Sequence, residues 1–215
     1  MIDGMRLIAL SDRTPVRGAV VALGSFDGVH EGHRAVLARA ADEARASGLI
    51  PAAFTFSVPP SSGRDAEGVL LSTLDEKLAL LREAGIGLVA VGNFDKLSGM
   101  KADEFVRIVL RDELCAVKTV CGYDFSFGAG REGTPVTLKD YFGDDAITLP
   151  CVSKSGVPVS SSRIRSLLSD GEVKAAAELL GRPYSVSGKV FRGRGDGRRI
   201  GFPTVNLSPD PSKVR

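Results

Sequence analysis

Ala19-Val20-Val21-Ala22-Leu23-Gly24-Ser25-Phe26-Asp27-Gly28-Val29-His30-Glu31-Gly32-His33 is the stretch on which the reading of this chain turns. The five apolar residues that open it form a strand that wants cover on both faces. The run breaks at Gly24 and resumes after the turn with a different period. Val36, Leu37, Ala40, Ala41 and Ala44 recur at helical spacing until Gly48, which predicts a helix over 33–47. Gly28 lets the backbone approach a ligand closely, and the start of the helix offers unpaired N–H groups and a positive dipole end that suit phosphate. His30 and His33 are the only histidines in the chain and lie three residues apart, so one turn of helix can present both imidazoles to one anion.

Outward from this turn the same alternation continues. Leu49–Phe56 reads as a second strand, and Thr73-Leu74-Asp75-Glu76 as a capping box opening a helix that ends near Gly85. Further strands are predicted over Leu88–Val91, Val117–Cys121 and Ile147–Val152, with a helix over Ala102–Leu114. Strands alternating with helices imply an α/β fold, a doubly wound parallel sheet with helices on both faces. Ligands of such sheets sit at the carboxyl ends of the strands, here the loops after residues 23, 56, 91, 121 and 152. Ser160–Leu180 reads as two short helices divided at Asp170-Gly171. Beyond Gly181-Arg182-Pro183 the style changes. Ser185–Phe191 alternates as a half-exposed strand would, and a glycine- and arginine-rich loop follows over Arg192–Arg199. We therefore expect two domains, 1–181 and 182–215.

The composition fits that plan. The 215 residues are 43% hydrophobic and 25% charged, enough apolar material for a core. A net charge of +2, with 28 Lys and Arg against 26 Asp and Glu, does not point to nucleic acid or to an anionic membrane surface. Met1–Leu10 lacks the basic and apolar regions of a secretory leader, and no run approaches the length of a membrane span. Cys115, Cys121 and Cys151 form no CxxC pair and are expected to be buried free thiols in a cytoplasmic protein.

The turn is neither of the two common phosphate loops. A G-x-G-x-x-G fingerprint would need glycine where Phe26 and Val29 stand, and no G-K-[ST] follows as in a P-loop. GSFDGVHEGH instead resembles the element of bacterial FAD synthetases, within the wider nucleotidyltransferases that use H-x-G-H. Three further segments agree in order. Gly122-Tyr123-Asp124-Phe125-Ser126-Phe127-Gly128 resembles G-x-[DN]-F-x-F-G, and Val159-Ser160-Ser161-Ser162-Arg163-Ile164-Arg165 resembles I-S-S-T-x-I-R. Gly181-Arg182-Pro183-Tyr184 with Gly201-Phe202-Pro203-Thr204-Val205-Asn206 resembles the start of the riboflavin kinase module that follows in the bifunctional enzyme.

The resemblance implies a Rossmann-like nucleotidyltransferase fold followed by the start of a small β-barrel. It implies transfer of AMP from ATP to FMN, with FAD and pyrophosphate as products. His30, His33 and Arg165 would be the catalytic groups. Gly24, Ser25, Phe26, Asp27, Gly28, Gly32, Phe56, Asp124, Phe125, Ser160, Ser161, Ser162 and Arg163 would bind the substrates. Mg²⁺ would travel with ATP, and Thr204 and Asn206 would hold Mg-ATP in the kinase module, with the loop 193–197 over the phosphates. Small molecules are the expected partners, with no nucleic acid and no membrane. The residues also have plainer readings: Ser160 caps a helix, and Phe125 and Phe127 are core. One loop departs from the family. Where T-F-E-P-H-P is usual, this chain has Thr55-Phe56-Ser57-Val58-Pro59-Pro60, without the histidine or the acid, and Ser162 replaces threonine. The tail beyond about Ser187 is expected to be poorly ordered or packed against a neighbour, and the 215 residues to lack riboflavin kinase activity, because a barrel short of strands cannot close. Two rivals stay open: a nucleotidyltransferase acting on another small phosphate, and a family member that binds flavin or nucleotide without turnover.

Overall fold

A computed structural model of the chain describes residues 5–9, 18–58, 70–194 and 196–214. The first strand, β1 (Met5–Ala9), is followed by β2 (Ala19–Leu23), which leads through the quoted turn into helix α1 (Glu31–Ser47). Then come β3 (Ile50–Phe56), α2 (Leu74–Glu83), β4 (Leu88–Gly92) and the short α3 (Phe94–Leu97). Helix α4 (Ala102–Glu104) continues as a π-helix over Phe105–Glu113 before β5 (Ala116–Gly122), α5 (Pro135–Phe142) and β6 (Ala146–Leu149). These strands form one sheet in the order β1-β4-β3-β2-β5-β6. Five run parallel, and β1 pairs antiparallel with β4 along one edge.

The sheet is covered on both faces, as the apolar strands require. Alternate residues of β2 part company: Ala19, Val21 and Leu23 join Ala52, Phe54, Leu88 and Ala90 beneath Leu97, Phe105, Val106 and Val109. Val20 and Ala22 face the other way, against Val36, Leu37, Ala40 and Ala44 of α1 and Leu81 of α2. After the sheet a two-residue ribbon, β7 (Ser153–Lys154) with β8 (Val157–Pro158), precedes α6 (Ser161–Ser169) and α7 (Val173–Leu180). A third apolar cluster forms from Leu71, Val159, Ile164, Leu168, Leu179 and Leu180. The chain ends with β9 (Gly188–Phe191), the single turn α8 (Asp196–Arg199) and β10 (Asn206–Pro209), β9 and β10 pairing antiparallel.

Several expectations are corrected. The first helix begins at Glu31, because His30 itself is its N-cap, and the last sheet strand stops at Leu149, before Pro150. The edge strand β1 and helix α5 have no counterpart in the sequence reading. The strand expected to be half-exposed over Ser185–Phe191 is confined to β9, with all four residues exposed. Of the three cysteines only Cys121 is buried; Cys115 and Cys151 are exposed, and all are free thiols. The tail does pair, and Val214 is buried in the third cluster of this same chain. Pro59, Pro60 and Gly195 lie outside the described residues. Among the described residues no helix is long and apolar enough to cross a membrane.

Candidate functional site

The turn after β2 is wound tightly. Phe26 and Val29 both take positive φ, at 49° and 39°, on either side of Gly28 at 75°. A β-carbon at Gly28 would lie 2.8 Å from Leu71, so both conformation and space select glycine there. Asp27 is fully buried, and its carboxylate accepts the amides of Leu71 and Ser72, the latter at 3.1 Å. The Arg165 guanidinium completes its shell at 2.7 Å. Further donors hold the loop's backbone. Ser161 Oγ donates to the Asp27 carbonyl at 3.0 Å, and Arg182 donates to the carbonyls of Gly28 and Val29 at 2.6 and 3.1 Å. Behind the turn the Ser25 carbonyl accepts Thr55 Oγ1 at 2.7 Å and the buried Lys77 Nζ at 3.0 Å. Lys77 also donates to the Phe56 carbonyl at 2.9 Å, tying the end of β3 to the turn. Burial pushes the Lys77 ammonium down to about 8, against the pull of Asp27.

The two imidazoles sit at the start of α1. Nδ1 of His30 accepts the amide of His33 at 3.3 Å, which leaves Nε2–H as that ring's donor. The rings stack, with centroids 3.6 Å apart and planes at 15°. Gly32 permits this, since a β-carbon there would press on the His30 ring at 3.2 Å. Burial lowers His30 to about 4, with Asp27 opposing, and holds His33 well below its ordinary value, His30 and Lys77 adding to the effect. Both rings are therefore neutral at pH 7, each with one uncharged N–H to offer.

These groups border a cavity of about 710 Å³ at the carboxyl ends of the parallel strands, a size that suits a small-molecule ligand. Of the residues expected at the site, Gly24, Ser25, Phe26, His30, Gly32, His33, Phe56, Asp124, Phe125, Ser160 and Ser161 line it. Ser160 is the N-cap of α6, accepting the Arg163 amide at 3.3 Å, so the first turns of α1 and α6 open on the same space. Phe125 and Phe127 stack at 5.6 Å, and both line the cavity, Phe127 being core as well. Asp124 borders the cavity together with both rings.

Asp27, Gly28, Ser162, Arg163 and Arg165 are not on its wall. Arg165 was expected there, but it is spent on Asp27 beneath the loop. Thr204 and Asn206 stand apart, where a β-carbon at Gly197 would meet Thr204 Oγ1 at 3.1 Å and one at Gly193 would overlap the Asn206 amide. Sequence reasoning missed Lys77, Arg182 and the wall residues Phe94, Leu97, Met100 and Arg131. A signal for Lys77 existed: Leu74, Lys77, Leu78 and Leu81 fall at the spacing of a buried helical stripe.

The fold and the cavity define a class, an α/β protein with a cavity where a parallel strand meets a helix. The family model described as FAD synthetase matches residues 12–163, and that described as riboflavin kinase matches residues 180–215. The chain belongs to the FAD synthetase family. It is 36% identical over 201 residues to the bifunctional riboflavin kinase/FMN adenylyltransferase of Escherichia coli K12, and 34% identical over 202 residues to that of Bacillus subtilis 168. Each match takes in 91% of this chain and 64% of the relative, so the chain spans under two thirds of those proteins. A putative bifunctional riboflavin kinase/FMN adenylyltransferase of Geobacillus thermodenitrificans is 37% identical over 172 residues, 78% of this chain and 92% of that protein. Among solved structures, one described as a macrolide-efflux protein from Streptococcus pneumoniae superposes with a TM-score of 0.81 at 32% identity, over 93% of this chain and 67% of that one.

Proposed function

We propose that the cavity transfers AMP from ATP to the phosphate of FMN, releasing pyrophosphate and forming FAD. The observation that carries this reading is that the N-termini of α1 and α6 and two imidazoles border one cavity whose lining includes several aromatic rings. Helix N-termini favour phosphates, and the rings of Phe56, Phe94 and Phe125 suit a flat heterocycle. The relatives' names, which pair riboflavin kinase with FMN adenylyltransferase, support the same substrates.

In this reaction a phosphate oxygen of FMN attacks the α-phosphorus of ATP while the bond to the bridging oxygen of pyrophosphate breaks. The nucleophile is already anionic, so no general base is required. The protein's work is to align two polyanions and to meet developing charge with fixed donors. His30 Nε2–H and His33 hold the phosphoryl groups at the start of α1. Ser160 and the first amides of α6 hold the departing pyrophosphate. Asp27 and Arg165 act from beneath, as positioning residues for the loop. Among the described residues no group of three or more His, Cys, Asp or Glu side chains could hold a metal. Asp27 is consumed by its four donors, and among the described residues Asp124 is the one carboxylate on the cavity wall. That donor set fits Mg²⁺ carried by the triphosphate itself, where it supplies charge neutralisation. In the second module Asn206 and Thr204, which Gly193 and Gly197 approach closely, would hold Mg-ATP. Residues 1–181 form the transfer domain, 182–215 begin the second module, and the protein works in the cytoplasm on small molecules.

Incubation with FMN, ATP and Mg²⁺, followed by chromatography, should give FAD and pyrophosphate in equal amounts. CTP and other phosphate acceptors should give none. Ser57 and Val58, where the family usually carries an acid and proline, favour one second reading, a binder without turnover. Calorimetric binding of ATP with no FAD formed would establish that reading and overturn the first.

A further inference from the structure

After the hairpin of β9 and β10, the chain turns back. The Asp210 carboxylate accepts the amide and hydroxyl of Ser212, at 2.9 and 2.6 Å, and shapes the turn. The backbone then runs alongside residues 70–72 of the first domain. The Leu70 amide donates to the Ser212 carbonyl at 2.8 Å, and the Val214 amide donates to the Leu70 carbonyl at 2.9 Å. Val214 is buried in one cluster with Leu71. Lys213 is buried too, and it donates to Glu76 Oε2 and to the Ser185 carbonyl, each at 2.7 Å. Its ammonium lies 4.9 Å from the Tyr184 ring centroid, and the Tyr184 hydroxyl donates to the Val214 carbonyl at 2.8 Å. A lysine is buried only where such partners offset its lost hydration, so this is a specific joint and not a resting tail.

What the joint holds matters more than the joint. Residues 70–72 have a second edge, and the amides of Leu71 and Ser72 on it are the ones that bind Asp27. Ser72 Oγ also accepts the amide of Gly28 at 2.9 Å. Residues 70–72 are therefore clamped between the end of the chain on one side and the phosphate-receiving turn on the other.

We propose that Asp210–Val214 is a strap that fixes the turn 24–30 through residues 70–72, and that Lys213 is thereby a positioning residue for the transfer site although it touches no part of the cavity. The catalytic half of this inference rests on the function proposed above; the mechanical half does not. The strap joins the start of the second module to the site of the first, so a ligand or partner that moves residues 182–214 is felt at His30 and His33.

The test uses the 215-residue chain, the chain shortened after Pro209, and the variant Lys213→Met, with Tyr184→Phe in reserve should the shortened chain lose its sheet. Amide hydrogen exchange is followed over residues 26–29, 70–73 and, as an internal control, 19–23. Release of the strap should speed exchange at least tenfold at both 70–73 and 26–29 and leave 19–23 protected. In FAD formation, KM for ATP should rise about fivefold or more. A purely structural role would lower the folded fraction, hence kcat, and leave KM unchanged. Faster exchange at 70–73 alone, or KM within twofold of the parent, overturns the proposal. If the parent chain makes no FAD, the function proposed above has failed, and exchange at 26–29 still decides the strap.

Discussion

Two neutral imidazoles stand stacked at 3.6 Å at the start of α1, and the arrangement has consequences that can be measured. Each ring offers a hydrogen bond without bringing a charge into a buried place. Replacing His33 by alanine removes one such donor, and FAD formation should fall about 100-fold or more. Near-normal turnover in His33→Ala would remove the histidines from the mechanism. The same burial sets an acid limit. His30 titrates at about 4 in the folded chain and near 6.5 when unfolded. Between those values the unfolded chain takes up a proton that the folded chain refuses, so stability falls as pH drops from about 6.5 towards 4. For His30 the loss is on the order of 3 kcal/mol, and His33 shifts in the same direction. Thermal melts should show Tm falling across this window, and His30→Gln should flatten the fall; an unchanged slope in that variant contradicts the assignment. Asp27 is the other residue on which the turn depends. Asp27→Asn breaks the buried ion pair with Arg165, and urea unfolding should register a loss of about 3 kcal/mol. Both histidines were visible in the sequence as a pair within a glycine-flanked turn. The true place of Arg165 was not, because an arginine at the start of a helix looks the same whether it meets a ligand or a buried carboxylate 138 positions away.

At the scale of elements, the helix that begins at Leu74 shows how far local pattern reaches. Thr73 Oγ1 accepts the Glu76 amide at 3.3 Å while Glu76 Oε2 accepts the Thr73 amide at 3.0 Å, the reciprocal cap that the residues Thr73 and Glu76 predict. Thr73→Ala should cost about 1 kcal/mol in chemical denaturation; no measurable loss would mean that tertiary packing alone holds this helix. The buried strands β2 and β4 were equally legible, since unbroken apolar runs between turn residues leave few alternatives. The edge strand β1 was not. Its partner is β4, some eighty residues on, and nothing local in Met5–Ala9 reveals that pairing. The shift from α- to π-helix at Phe105 was hidden for a similar reason. Phe105 packs at 5.0 Å from Phe54 and 5.2 Å from Phe127, contacts that only the assembled sheet creates. The cavity's apolar wall was missed with it, because Phe94, Leu97 and Met100 belong to no motif and are brought together by the sheet.

The molecule as a whole divides into a well-covered sheet and a sparse hairpin. Val190, Phe191, Ile200, Phe202 and Val205 are all exposed on the hairpin side, and among the described residues β9 and β10 pair only with each other. A two-stranded ribbon has too little buried surface to organise a catalytic pocket. Riboflavin and ATP given to the 215-residue chain should therefore yield no FMN by chromatography, and detection of FMN would show that the ribbon suffices. The sequence changes style after Gly181-Arg182-Pro183, in the alternation of Ser185–Phe191 and the glycine- and arginine-rich loop that follows. It could not tell that the two parts are joined, since the joining bonds run between backbone groups, from Arg182 to backbone carbonyls and from Lys213 to Glu76, far apart in sequence and without a local pattern. Arg182 lies just past that border, and its guanidinium rests on the carbonyls of Gly28 and Val29. Dissection of the protein at its apparent seam would cut on the wrong side of this residue. A fragment ended at Leu180 would keep every motif of the transfer site and yet leave those two carbonyls without their donor, whereas a boundary drawn after Tyr184 would carry the arginine along with the loop it serves.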